Sequence, residues 1–161
     1  MKTLTIIAVA LLGTLVTACA TSYQSKGFSG GFEDTQLASD VFRISFSGNA
    51  FTSNDRVQNF ALLRAAELTL ANNFKYFAVI NSTDQSRTET YISPGSATTS
   101  GTVSAYGSYS GTTTYDPPQV HTYYKPGVGL MVRAFPNKPD GIFAFDAEFI
   151  AKSIRSKYGI Q

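Results

Sequence analysis

His121 is the only histidine in the chain, and a lone imidazole can serve as a base or as a metal ligand. Its neighbours Val120, Thr122 and Tyr123 supply neither a carboxylate nor a thiol at ligand spacing. A base also needs an oriented nucleophile or water, so His121 reads as a surface or cross-strand residue. Arg64 and Glu67 stand three positions apart in Leu62-Leu63-Arg64-Ala65-Ala66-Glu67-Leu68, which puts them on neighbouring positions of one helix face. They can pair. One reading is a polar grip on a ligand or partner; the favoured one is a structural ion pair at the core edge, shared with Arg43 or Asp146. Tyr106, Tyr109 and Tyr115 form a third set, because aromatics with polar tips are frequent at recognition surfaces. They read equally as recognition aromatics or as solvated loop residues, whereas Tyr123 and Tyr124 read as cross-strand packing. There is no Gly-x-Ser-x-Gly elbow, His-Glu-x-x-His helix or dinucleotide fingerprint. The glycines of 93–118 do not open into a helix with a Lys-Ser or Lys-Thr ending, as a phosphate cradle requires. No catalytic residue, metal site or cofactor is expected, and the chain reads as a non-enzyme.

The remaining reactive side chain is Cys19, the single cysteine. Lys2 gives a positive start, Leu4 to Val16 an apolar run, and Val16-Thr17-Ala18 lead into the cysteine with small residues. The run is too short to span a bilayer and ends as a processed signal does. The Val-Thr-Ala-Cys tetrad resembles the lipobox of bacterial lipoproteins, which implies lipidation at Cys19 and removal of 1–18. Ala20 and Thr21 differ from the aspartate that commonly retains such proteins in the inner membrane. The expected address is therefore the outer membrane, lipid-anchored, on its periplasmic face.

Processing removes Lys2, which lowers Lys plus Arg from 13 to 12 against 11 acidic residues, a net charge of +1. A nucleic-acid binder shows a clustered basic face, and none is evident, so no nucleic-acid partner is expected. With Cys19 lipidated no cysteine remains for a disulfide, even in an oxidising envelope. Twelve Phe and nine Tyr suffice for one dense core.

The elements follow from periodicity. Residues 19–40, rich in Ser, Gly and Gln, read as a lipidated flexible tether, and 41–161 as a single domain. Phe42, Ile44 and Phe46 alternate with Arg43, Ser45 and Ser47, the mark of a half-buried strand. Thr52 and Ser53 precede Val57, Phe60, Ala61, Leu63, Leu68 and Ala71 at helical spacing, and Asn72-Asn73 supply the stop. Leu62, Ala66 and Leu70 widen that helix's apolar face. Tyr76 to Ile80 reads as an interior strand, continued outward by Ser82 to Ile92, and Gln119 to Phe135 as its long antiparallel partner. Asp146 caps a last helix closed by Gly159, with Lys152, Arg155 and Lys157 suited to its C-terminal end. The expected architecture is α+β: a small, mainly antiparallel sheet with two helices on one face, in the order β-α-β-β-α. Between the hairpin strands, 93–118 is dominated by Ser, Thr, Gly and Tyr with one charge, Asp116. It reads as a low-complexity loop, mobile or else a partly ordered extension of the hairpin.

Phe46-Ser47-Gly48-Asn49, Thr52, Leu62-Leu63-Arg64-Ala65-Ala66-Glu67-Leu68-Thr69 and Phe74 to Phe77 together resemble a family of small proteobacterial envelope lipoproteins of uncharacterised function. Gly31-Phe32-Glu33-Asp34-Thr35-Gln36-Leu37 fits the same pattern. The resemblance implies an envelope location and transfers no catalytic residue. The functional expectation is a membrane-anchored lipoprotein acting through protein or envelope-polymer contacts. The alternative is a periplasmic small-ligand or glycan binder using aromatics near Tyr106 to Tyr124.

Overall fold

The computed structural model describes residues 20–161; the expected signal 1–18 and Cys19 lie outside the described residues. In chain order the elements are β1 (Gly31–Ala38), β2 (Val41–Ser47), α1 (Asn54–Ala71), β3 (Tyr76–Asp84), β4 (Arg87–Ser93), β5 (Ser96–Val103), β6 (Tyr109–Asp116), β7 (Gln119–Lys125), β8 (Gly127–Phe135), β9 (Phe145–Asp146) and α2 (Ala147–Tyr158). They divide into a body, 20–87 with 124–161, and a second unit, 88–123.

The body is α+β, built on a five-stranded sheet of order β1-β2-β8-β3-β9 in which every neighbouring pair is antiparallel. Alternation in β2 sends Phe42, Ile44 and Phe46 to one face, where they oppose Val132, Leu130 and Val128 of β8. That face is covered by α1, and α2 packs on α1. Arg43 and Ser45 emerge on the other face, as period-two geometry requires. Ser53 caps α1 by accepting from the Arg56 amide. Asn72 and the positive φ of Asn73 (63°) end it. Asp146 accepts from the Phe149 amide at 2.9 Å to start α2, and Gly159 closes it at φ 65°. Phe60, fully buried, is the centre of the core. Its ring meets Tyr158 at 4.9 Å, Phe46 at 5.2 Å and Tyr23 at 5.4 Å, each edge-on, a geometry that suits the aromatic quadrupole.

Five expectations need correction. Residues 19–40 are not a tether throughout, because Gly31–Ala38 forms edge strand β1 on β2 and Thr21 is buried. Only Phe32 of this strand packs against the core as a large apolar side chain, so its pattern does not announce a strand. The stretch 93–118 is not a loop: β5 and β6 pair in continuous antiparallel register from Ser96↔Asp116 to Val103↔Tyr109. Gln119 to Phe135 is two strands, broken at Pro126, which has no N–H to give a ladder. The element order is therefore longer than β-α-β-β-α. Leu70 also departs from the helix reading, at 40% exposed.

Substituting Phe60→Ala removes the ring on which Tyr23, Phe46 and Tyr158 converge and leaves a cavity. Its expected cost is about 3–5 kcal/mol, measured by urea unfolding of the purified protein; a loss below about 1 kcal/mol would contradict this account of the core.

Candidate functional site

Arg64 and Glu67 do meet, with Nη1 to Oε2 at 3.4 Å, but as part of a larger cluster. Arg64 Nε donates to Asp34 Oδ1 on β1 at 2.8 Å, and the guanidinium lies over the Phe32 ring, 4.4 Å from its centroid. Arg155 Nη2 of α2 donates to Glu67 Oε1 at 2.8 Å. The Tyr23 hydroxyl donates to Glu67 Oε2. Arg43 and Asp146, the sequence-based candidates for sharing this pair, are elsewhere: Arg43 emerges on the opposite sheet face and Asp146 caps α2.

The electrostatics of the cluster suit holding, not proton transfer. Burial raises the Tyr23 phenol well above its ordinary value, and the bond to Glu67 raises it further. Burial pulls the Arg64 guanidinium down, but the hydrogen bond to Asp34 and that carboxylate's charge outweigh it, so the net direction is up. Both groups therefore stay protonated, and neither is poised as a base near neutral pH.

The other candidate aromatics, Tyr124 excepted, belong to the second unit. Here Tyr109 and Tyr115 share one face of the β5–β6 ribbon with Ala97, Thr99, Gly101, Val103, Gly111 and Thr113, while the opposite face carries only Ser and Thr hydroxyls and Asp116. The Tyr109 ring lies across Gly101 and Gly111, where any Cβ would collide with it. Tyr106 sits in the turn between the strands, where Gly107 has φ 82°, and is 97% exposed. Tyr91, His121 and Tyr123 form a row of near-parallel rings with centroids 6.4 and 6.5 Å apart. His121 Nε2 also lies 3.4 Å from Ser93 Oγ. Every residue from Thr88 to Tyr123 is exposed except Ser93, which is half-buried. The sequence points to the tyrosines and offers an ordered extension of the hairpin only as the alternative to a mobile loop, and it does not single out Tyr91. The signal was present in the alternation of Ala97, Thr99, Gly101 and Val103 with Ser96, Thr98, Ser100 and Thr102.

Among the described residues, two hollows of the body stand out. One of about 190 Å³ is lined by Asn54, Gln58, Ser82, Asp84 and Tyr124, among others, and Tyr124 Oη donates to Asn54 Oδ1 at 3.5 Å. There the Asp84 carboxyl is held below its ordinary value by hydrogen bonds from Ser86. The other, of about 320 Å³, lies over Arg43, Asn81, Thr83, Gln85 and Met131. Ligand pockets are mostly apolar with a few convergent polar groups, whereas these walls mix polar side chains with a few apolar ones, Val57 and Val128 in the first hollow and Leu130 and Met131 in the second. Among the described residues no three His, Cys, Asp or Glu side chains gather to hold a metal ion.

No protein-family model matches the chain, and neither a curated protein nor a solved structure shows significant similarity to it. Among the described residues no helix is long and apolar enough to cross a membrane.

The cluster generates a pH prediction. Below pH 10.0, the ordinary tyrosine value, the Tyr23 phenol is neutral in both folded and unfolded chains and its stabilising bond is intact. Above that value the unfolded phenol ionises while the buried one keeps its proton, so stability falls as the pH rises. Tyr23→Phe should remove this part of the alkaline loss and cost about 1–2 kcal/mol near neutral pH. Urea unfolding from about pH 8 to about pH 11 measures both effects; an unchanged alkaline slope would contradict the assignment. Glu67→Gln keeps the shape but leaves Arg64 and Arg155 without their shared charge, and should cost about 1–3 kcal/mol.

Proposed function

We propose that this chain is a membrane-anchored envelope lipoprotein of the family it resembles, acting without catalysis through contacts of the 88–123 ribbon with another envelope protein or an envelope polymer. The observation that carries the reading is the exposure of that unit along nearly its whole length. Ordering a residue costs about 1–2 kcal/mol of backbone entropy, and a two-stranded ribbon offsets little of that with buried surface. Covering the face of Tyr109, Tyr115 and Val103 would supply the missing burial. The strands also offer unpaired backbone groups: among the described residues, β5 and β6 have only each other as neighbours, and such edges accept another strand readily.

The anchoring half of the reading is supported by the signal run and the tetrad ending at Cys19. The residues that carry the family resemblance have structural work. Gly48 is so close to Thr52 and Pro126 that a Cβ would collide with both, and Leu63, Ala65, Ala66 and Thr69 are fully buried. These residues serve the fold of this chain and leave the partner to be found by contact chemistry.

A photo-crosslinking amino acid at Tyr106 or Tyr115, in the full chain expressed in its own envelope, should give one common adduct. The same residue at exposed Lys152 of α2 should not. An adduct pattern identical at all three positions, or none at the tyrosines, would contradict a ribbon-mediated contact.

A second reading, a periplasmic small-ligand or glycan binder, is favoured by the row of Tyr91, His121 and Tyr123, whose parallel rings offer stacking faces. A ligand bound there stabilises the native state. Soluble cell-wall glycan fragments should raise the melting temperature of the parent protein, and Tyr91→Ala with Tyr123→Ala should abolish the rise.

A further inference from the structure

Thr21 stands two residues after Cys19 and is already locked into the body. It is 2% exposed. Its amide donates to Thr52 Oγ1 at 2.9 Å, its hydroxyl donates to the Ser29 carbonyl at 2.7 Å, and that hydroxyl accepts from the Asn49 amide at 2.9 Å. Two loops are gripped by this one side chain, and each carries an uncovered phenylalanine beside the gripping residue. Phe28 precedes Ser29 in a tight turn closed by reciprocal Gly27 and Gly30 backbone bonds, both 3.1 Å, and is wholly exposed, at 111%. Phe51 precedes Thr52 and is 71% exposed.

Two extended residues span about 7 Å. An acyl anchor on Cys19 therefore leaves no slack between the bilayer interface and this corner of the body. Exposed apolar groups held that close to lipid gain by leaving water. Phenylalanine is among the apolar residues by which interfacial segments reach the boundary between headgroups and acyl chains. We propose that Phe28 and Phe51 enter the interfacial region of the lipid bilayer and seat the body directly on the membrane, with its Thr21 corner down. The occupant of this surface is lipid because the part of the chain outside the described residues ends here. The inference rests on the lipoprotein reading of Cys19.

The absence of tryptophan from the sequence gives a clean reporter. Phe28→Trp and Phe51→Trp, each introduced singly into the full, processed protein and reconstituted in phosphatidylethanolamine–phosphatidylglycerol vesicles, should show blue-shifted emission and strong quenching by brominated lipid. Phe143→Trp, at a residue 76% exposed and packed on Phe145 of the opposite edge strand β9, should show neither. Mass spectrometry of the same samples reads the acylation of Cys19. Acylated protein with unquenched tryptophans at 28 and 51, or with equal quenching at 143, overturns the seating while the lipoprotein reading stands. An unmodified Cys19 overturns that reading and the seating with it. In a second arm, Phe28→Ala with Phe51→Ala in the chain without acyl groups should weaken vesicle partition by about tenfold or more. Unchanged partition would also overturn the proposal, and both rings lie outside the buried core.

Discussion

The Glu67 carboxylate accepts from Tyr23, Arg64 and Arg155, donors that come from the N-terminal segment, α1 and α2, at a position where its side chain is only 18% exposed. A charge that far out of water is costly unless its acceptor sites are filled, and removing one partner from such a group costs more than the bond itself is worth. Satisfying Glu67 thus requires three parts of the chain to be in place together. Arg64 extends the same constraint to β1 through Asp34. The edge strand, which buries little apolar surface of its own, is held to the body by its backbone pairing with β2, by this polar cluster and by the Phe32 ring under the Arg64 guanidinium.

That dependence explains which parts of the fold were legible in the sequence. The strand at Phe42, Ile44 and Phe46 and both helices with their caps at Ser53, Asp146 and Gly159 follow from local patterns, because apolar periodicity and capping chemistry lie within a few residues of each other. β1 does not follow, since its inward position 34 is an aspartate whose partner lies 30 residues away. Arg155 was equally invisible as a partner, 88 residues from Glu67. The spacing of Arg64 and Glu67 was readable, but neither Tyr23 nor Asp34 could be placed with them while 19–40 read as a tether. In 93–118 low apolar content pointed to disorder, while the alternation of small and aromatic residues with hydroxyls carried the strand register.

Two physical regimes result. The body is stabilised by a core centred on Phe60, by antiparallel pairing and by a satisfied ionic cluster. The ribbon has alternation without burial, so its order comes from backbone pairing, from local contacts such as Tyr109 over Gly101 and Gly111, and in our account from what covers it. We place the proposed contact on the second regime because its surfaces are left uncovered, and the proposed anchoring on the first because Thr21, two residues after Cys19, is fixed in the fold. Tyr23 and Arg64 fit this division, because burial and the bond to Glu67 raise the phenol and, against burial, the bond to Asp34 raises the guanidinium, so both stay protonated and serve attachment.

The central claim is that the segment from Thr21 through β1 is an integral part of the fold. Native-state hydrogen exchange at the Thr21 and Phe32 amides tests it most directly, since these donate to Thr52 Oγ1 and to the Gln24 carbonyl at 2.9 and 2.8 Å. The account predicts exchange through openings nearly as costly as those that expose the Ile44 amide in the sheet interior. Exchange at the rate of an unstructured chain, with Ile44 still protected, would contradict it and restore the tether.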